Sequence, residues 1–301
     1  MKKLIAMLAL GLFLMGNTPA EAKVDFLKTY GDQLPKYTYQ LKDTFEVKGR
    51  QGIACDGEFY YVSGSKTLAK YDKKGNLVLM NDKPFEGYAI PSNHIGDIDV
   101  YNGELYISAE NCADGVGKDI QIAIHDAKTL KFKRTFKFEP NSGQEEVSGI
   151  TVDRERGSVW MCSWVGEESG RYLYEYDLKS GKYLRKVHIA PVPQWVQGVF
   201  AYKGNLYLTA DDGTADDEQA DHLYRVNITK ENFATVALEY TFKDVKRQGE
   251  IEGLCVDPKT GDLLVHFNRG SRIVLGMVKG FYPGYEREIS EVYRYKMTPL
   301  K

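Results

Sequence analysis

The sequence predicts an all-β fold, a five-bladed β-propeller of four-stranded blades. Three observations predict it. A short motif recurs five times, each copy runs through a turn into β-rich segments, and the copies stand one blade apart. The clearest copy is Glu250-Ile251-Glu252-Gly253-Leu254-Cys255-Val256-Asp257. Glu146 to Asp153 repeats it closely, and Trp195 to Tyr202, His94 to Tyr101 and Arg50 to Asp56 repeat it more loosely. The units begin at Gly52, Asp97, Gly149, Gly198 and Gly253, so the period is roughly 45 to 55 residues, the range of propeller blades. A β-sandwich would not repeat its turn chemistry at that period, and the 3.6-residue pattern of helical solenoids is missing.

In chain order, residues 1–22 read as a secretory signal peptide. Lys2 and Lys3 precede an apolar run from Leu4 to Leu14, and Pro19-Ala20-Glu21-Ala22 offers a cleavage site. The remainder, 23–301, reads as one exported domain, periplasmic or extracellular, with no transmembrane segment. Lys23 to Leu34 is a short helix or an irregular lead-in. Tyr37 to Val47 alternates polar and apolar residues, as a half-buried strand does, and has no hairpin partner before it. Each unit then supplies turn signals and strands. The first has Asp56-Gly57, Phe59 to Ser63, Thr67 to Asp72 and Leu77 to Met80. The second has Asn102-Gly103, Leu105 to Ser108, Ile120 to Asp126 and Lys131 to Phe136. The third and fourth follow suit, ending at Val187 and Phe242. The fifth runs from Leu263 to Phe267, then Arg272 to Gly276, then Ser290 to Tyr295, and lacks an outer strand of its own. The N-terminal strand is therefore expected to close the ring. Six blades are the alternative, if residues 23–47 and the tail hold further strands.

Composition limits the function classes. The formal charge is -2, and loss of the leader makes it one unit more negative. A nearly neutral chain of this size argues against nucleic acid or an anionic membrane as the main partner. Hydrophobic residues make up 43%, enough for a large core. The 21 tyrosines suit strands first and ligand-lining aromatic surfaces second. Cys55, Cys112, Cys162 and Cys255 lack metal-ligand spacing. Export permits disulfides and the sequence does not choose a pairing; Cys55, Cys162 and Cys255 read as small buried strand residues. A monomer is expected.

The units resemble those of secreted bacterial β-propellers in the broad YVTN, NHL and SMP-30-like group. The resemblance rests on the Gly before the first strand, the Asp at the next turn, and the third-strand pattern written here as Leu173-Tyr174-Glu175-Tyr176-Asp177. It covers essentially the whole mature chain and implies the fold. Gluconolactonase-type members hold a divalent metal at the funnel, but their metal motifs find no residue-by-residue match here, so the resemblance carries no activity.

A propeller brings two sets of residues together at one end of its funnel. Strand alternation places Glu146 and Ser148, Trp195 and Gln197, Glu250 and Glu252, and His94 and Gly96 on the axial side, with Arg50 or Gln51 from the first unit. Val147, Val196, Ile251 and Ile95 point between blades. The second set ends the second strands: Glu110 and Asn111, Ser163 and Trp164, Asp211 and Asp212, Asn268 and Arg269. Clustered carboxylates must be protonated, paired or neutralised by a cation. Ca²⁺ is the expected ion, held by Glu146, Glu250, Glu252 and Asp212; pairing with Arg50 and Lys48 is the alternative. The other named residues suit a small polar ligand such as a carbohydrate, with Trp164 and Trp195 flanking its ring or, alternatively, wedged between blades, the reading that fits Trp164 better. The acidic loop from Asp211 to Asp221 is not an EF-hand and reads as a solvated loop or a second Ca²⁺ contact. A metal-dependent hydrolase or lactonase is the catalytic alternative, with His94 as general acid or base and Glu146 or Glu252 orienting it. A noncatalytic envelope scaffold is the third reading. His125, His188, His222 and His266 read as structural.

Overall fold

The computed structural model describes residues 31–113, 116–137, 140–164, 168–246, 248–274 and 277–300; residues 1–22, expected to be a leader, and residues 23–30 lie outside them. The strands group into five four-stranded antiparallel arrays. The N-terminal strand β1 (Tyr37–Glu46) is reserved for the last of these. The first array is β2 (Ile53–Cys55), β3 (Phe59–Gly64), β4 (Thr67–Asp72) and β5 (Leu77–Asn81). The second is β6 (His94–Tyr101), β7 (Glu104–Ala113), β8 (Val116–Asp126) and β9 (Phe132–Lys137). The third is β10 (Gly149–Asp153), β11 (Ser158–Cys162), β12 (Tyr172–Asp177) and β13 (Tyr183–Ala190). The fourth is β14 (Val196–Tyr202), β15 (Asn205–Ala210), β16 (His222–Asn227) and β17 (Phe233–Thr241). A short parallel pairing of β13 with β17 joins the third and fourth arrays into one eight-stranded sheet.

The fifth array takes its strands from both ends of the chain. It runs β18 (Gln248–Val256), β19 (Leu263–Arg269), β22 (Ile289–Pro299) and β1, with Tyr37 opposite Pro299 and Glu46 opposite Glu291. The expected third strand at Arg272 to Gly276 is corrected. Its described part is β20 (Ser271–Val274), which pairs only with β21 (Met277–Phe281) in a separate hairpin. β22 takes the third position, because its register with β19 continues unbroken from Leu263–Tyr295 to Arg269–Ile289.

Local chemistry explains the repeat. The Asn102-Gly103 and Lys203-Gly204 turns hold both central residues at positive φ, the twist that two-residue hairpins need. The Asp that ends a third strand caps the next turn: Asp72 accepts the backbone amides of Lys74 and Asn76, and Asp177 accepts that of Ser180. The first strands of successive arrays touch around a closed ring, β2 to β6, β10, β14, β18 and back to β2. The head-of-unit glycines lie where these backbones meet. A Cβ on Gly198 would stand 2.8 Å from the Gly253 Cα, and one on Gly253 2.7 Å from the Gly52 Cα, so no larger residue fits there. Apolar faces pack between neighbouring arrays around buried side chains such as Trp160, Tyr174, Phe242 and Phe267. Cys55, Cys162 and Cys255 are buried, as their strand positions suggest.

Candidate functional site

The two predicted residue sets meet because strand register puts the start of each first strand beside the end of its second. His94 lies opposite Glu110 in the second array, and Glu250 opposite Asn268 in the fifth. In the fourth, the Asp211 amide donates to the Trp195 carbonyl at 3.0 Å. The structure therefore builds one polar mouth from all five arrays.

Its centre is a hydrogen-bonded network spanning three arrays. Glu250 accepts Arg50 Nη2 at 2.9 Å and Gln197 Nε2 at 3.0 Å. Arg50 Nε donates to Glu288 Oε1 at 2.9 Å, and Ser271 Oγ donates to the other oxygen of Glu288 at 2.5 Å. Asn268 Nδ2 donates to Glu252 Oε1 at 2.8 Å and to the Arg50 carbonyl at 3.0 Å. Gln51 is buried, and its carbonyl accepts the Gly253 amide.

The second and third arrays supply the opposite wall. His94 Nδ1 meets Glu110 Oε1 at 3.2 Å, while Glu110 Oε2 accepts the Val147 amide at 3.1 Å. Glu146 accepts the Trp164 amide at 2.5 Å, and Ser163 Oγ donates to the Glu146 carbonyl at 2.6 Å. Ser148 Oγ donates to the Val196 carbonyl at 2.7 Å. The Trp164 and Trp195 rings lie 4.8 Å apart, tilted by 38°. They pack on each other, so the expectation that they flank a ligand ring is corrected: no third ring fits between them. Trp195 sits at φ 54°, a backbone region costly for a bulky side chain.

The fourth array adds an acidic group. Asp212 accepts His222 Nδ1 at 2.8 Å and the Tyr224 hydroxyl at 2.5 Å. Asp221 accepts the Gly213 amide at 2.9 Å, yet its Oδ2 is buried without a partner. His222, expected to be structural, is thus one half of an Asp–His pair at the mouth. His125 and His266 are buried as expected.

Burial pushes the carboxyls of this mouth up. It raises Glu250 against the opposing pull of Arg50, and raises Glu252 well above its ordinary value with Glu250 adding to the effect. Asp211 is raised by burial and by Asp221 and Glu250, and Asp221 is pushed up to about 7. Burial pulls the Arg50 guanidinium down, but Glu252 and Glu250 more than offset it. The bond to Asp212 raises His222. Asp221 therefore keeps its proton up to near neutrality, and burial pushes its neighbours in the same direction.

The carboxylates expected to hold Ca²⁺ have protein donors: Arg50 and Gln197 on Glu250, Asn268 on Glu252, the Trp164 amide on Glu146, His222 and Tyr224 on Asp212. Among the described residues no group of three or more His, Cys, Asp or Glu side chains is arranged to hold a metal ion. His94 is oriented by Glu110 and not by Glu146 or Glu252. Asn111 lies in the β7–β8 ladder opposite Lys118. Arg269, at the end of β19, donates to both oxygens of Glu291 and to the Tyr285 hydroxyl.

Sequence reasoning missed Asp97, which takes the place of the head-of-unit glycine in the second array. It is buried at the ring's centre against Gly52 and Gly253, and its Oδ1 accepts the Ile98 amide at 2.8 Å and the Ile53 amide at 3.3 Å. Its departure from the repeat was the signal. A cavity of about 550 Å³ lies elsewhere, lined by Ala215, Glu218, Gln219, Thr241, Lys243 and Lys246 among others. It contains none of the mouth's residues and gathers no buried polar network, so the mouth is the stronger candidate.

Comparison with known proteins places the fold. The chain is similar in structure to the glutaminyl cyclase of Myxococcus xanthus, with a TM-score of 0.54 and 10% identity, over 89% of this chain and 100% of that one. It also matches the hydrazine synthase of Kuenenia stuttgartiensis at a TM-score of 0.45 and 10% identity, over 85% of this chain and 65% of that one. No protein-family model matches the chain, and no curated protein matches it. The protein is thus an all-β chain of the β-propeller kind, and the narrower YVTN, NHL and SMP-30-like grouping gains no sequence match.

Proposed function

We propose that this propeller binds a small polar ligand at the mouth formed by Arg50, His94, Glu146, Gln197, Glu250 and Asn268. One observation carries the reading. Glu250 and Glu252 are buried charged groups, at 4% and 2% exposure, and their partners come from three separate arrays. Such a network is a poor way to gain stability, since well-packed apolar residues serve at least as well. It is a good way to fix donors and acceptors for a ligand. The half-buried Trp164–Trp195 pair supplies an apolar face beside them, as sites for sugars and other polyhydroxylated molecules do.

Titration calorimetry against monosaccharides and small polyols tests this, with Gln197→Ala and Asn268→Ala beside the wild type. Binding that weakens at least tenfold in both variants supports the reading; equal affinity in all three proteins overturns the placement. The divalent cation is tested in the same samples. A melting temperature that rises with Ca²⁺ and falls back with EDTA adds the ion to the site, and an unmoved one removes it.

A hydrolase-like reading is favoured by a different observation, the His94–Glu110 pair, with the His94 side chain 24% exposed and Glu110 1%. A carboxylate that orients a half-exposed imidazole is the arrangement of a general base. Ester, lactone and glycoside turnover that survives His94→Ala unchanged would remove this reading.

A further inference from the structure

We propose that the acidic side of the mouth, formed by Asp211, Asp221 and Glu250 beside Trp195, takes the ammonium group of a small organic amine. The inference rests on the mouth being a ligand site and names the class of that ligand.

One acceptor in this region is unmet. Asp221 is 1% exposed, and its Oδ2 finds no donor while its Oδ1 takes the Gly213 amide. A buried carboxylate oxygen without a donor is costly, by an amount larger than for a neutral group. Among the described residues the nearby cations do not relieve it. Arg50 is shared between Glu250 and Glu288, and His222 is held by Asp212. Asp221 and Glu250 also act on Asp211, whose carboxyl they and burial raise. Three carboxyl groups thus crowd one region with a donor missing.

The surroundings suit an organic cation. No three acidic or metal-ligating side chains converge as a coordination shell among the described residues. An ammonium on a carbon chain is larger, brings two or three N–H donors, and needs an apolar or aromatic wall for its carbon part. Trp195 stands next to Asp211, joined to it through the backbone at 3.0 Å, and its ring with Trp164 forms a half-buried aromatic face. Carboxylates beside indole faces are the chemistry that recognises alkylammonium groups.

Proton linkage gives the proposal a signature. In the free protein Asp221 keeps its proton up to about 7. A bound ammonium favours the ionised carboxylates, so binding releases a proton and tightens as pH rises through that value.

The test uses matched pairs on the full chain: meglumine against sorbitol, and ethanolamine against ethylene glycol, both amines staying protonated throughout, by calorimetry at pH 6 and pH 8. The amine of each pair is expected to bind at least tenfold more tightly than its neutral match at pH 8, to weaken about tenfold at pH 6, and to release protons on binding in buffers of different ionisation heat. Asp221→Asn is expected to erase the preference. The pH and proton-release measurements need no variant, so a misfolded Asp221→Asn does not end the test. If the neutral members bind as well as the amines, the amine inference falls and the ligand reading stands. If no member of either pair binds at millimolar concentration, both fall.

Discussion

Two buried charge networks in this protein look alike and behave oppositely. One closes the ring. Arg225 and Glu239 are 1% and 0% exposed in their side chains, and all three Arg225 nitrogens and both Glu239 oxygens have partners. Arg225 donates to Glu239 at 3.0 Å, to Asn205 Oδ1 at 3.3 Å, and to the carbonyls of Asp32 and Leu34 at 2.6 and 2.9 Å. Glu239 accepts the amides of Lys36 and Tyr37 and the Tyr39 hydroxyl. The fourth array thereby grips the segment that leads into β1, the strand that completes the fifth. The other network is the mouth, where the carboxyls are raised by burial and by each other, Asp221 keeps a bare oxygen, and Trp195 sits in an unfavourable backbone region. A network with all its partners serves structure. One left short of donors, with local strain beside it, is the pattern expected where a ligand completes the set.

The largest expected effect falls on the ring-closing network. Removing one partner of a fully buried, fully bonded pair leaves the other charge stranded, which costs about 3–5 kcal/mol. Glu239→Ala should therefore lower the urea midpoint strongly and open residues near Lys36 to protease. The double variant Arg225→Met with Glu239→Leu should recover much of the loss, because it strands no charge. A loss below about 1 kcal/mol in Glu239→Ala would break the comparison, since that is the scale of an ordinary solvated pair.

At the mouth the sign should reverse with pH. An unfolded Asp titrates near 3.9, whereas folded Asp221 is raised to about 7. Below both values the group is protonated in either state and carries no penalty. Between them the unfolded chain has lost its proton while the folded one keeps it, so wild-type stability falls as pH rises; above the folded value the penalty is constant. Asp221→Asn removes it. Denaturation at pH 4 and pH 8 should show the variant close to wild type at the lower pH and more stable than wild type at the higher. A variant equally destabilised at both would show that the carboxylate is a structural group, like Glu239.

How much of this was legible in the sequence follows the same division. The repeat rests on local chemistry, turn glycines and capping aspartates such as Asp177, so the arrays and the closure by β1 could be read from residues close in the chain. The mouth's membership was readable too, because alternation along a strand fixes which side His94, Glu146, Gln197 and Glu250 take. Partnerships were not. That Glu110 rather than Glu146 orients His94, that Trp164 lies on Trp195, and that His222 holds Asp212 depend on how neighbouring strands and arrays meet, which strand periodicity does not encode. The fifth array misled for a related reason. The run Ser271 to Val274 has strand composition, but it spends it on a hairpin, and only the longer register of β19 with β22 decides which strand pairs.

The smallest expected stability change is the sharpest test of what the mouth is for. Trp195 carries two opposing contributions. Its φ of 54° costs on the order of 1 kcal/mol for a bulky residue, and its packing on Trp164 returns about 0.5–1.5 kcal/mol. Glycine adopts that φ without strain, so Trp195→Gly relieves the strain while losing the packing, some side-chain burial and unfolded-chain restriction, for a net loss of about 1–2 kcal/mol. If the ring is there for a ligand, calorimetry should show binding weakened at least tenfold in the same variant. A large loss of stability with binding intact would instead make Trp195 a wedge between the third and fourth arrays, and would move the mouth onto the structural side of the comparison.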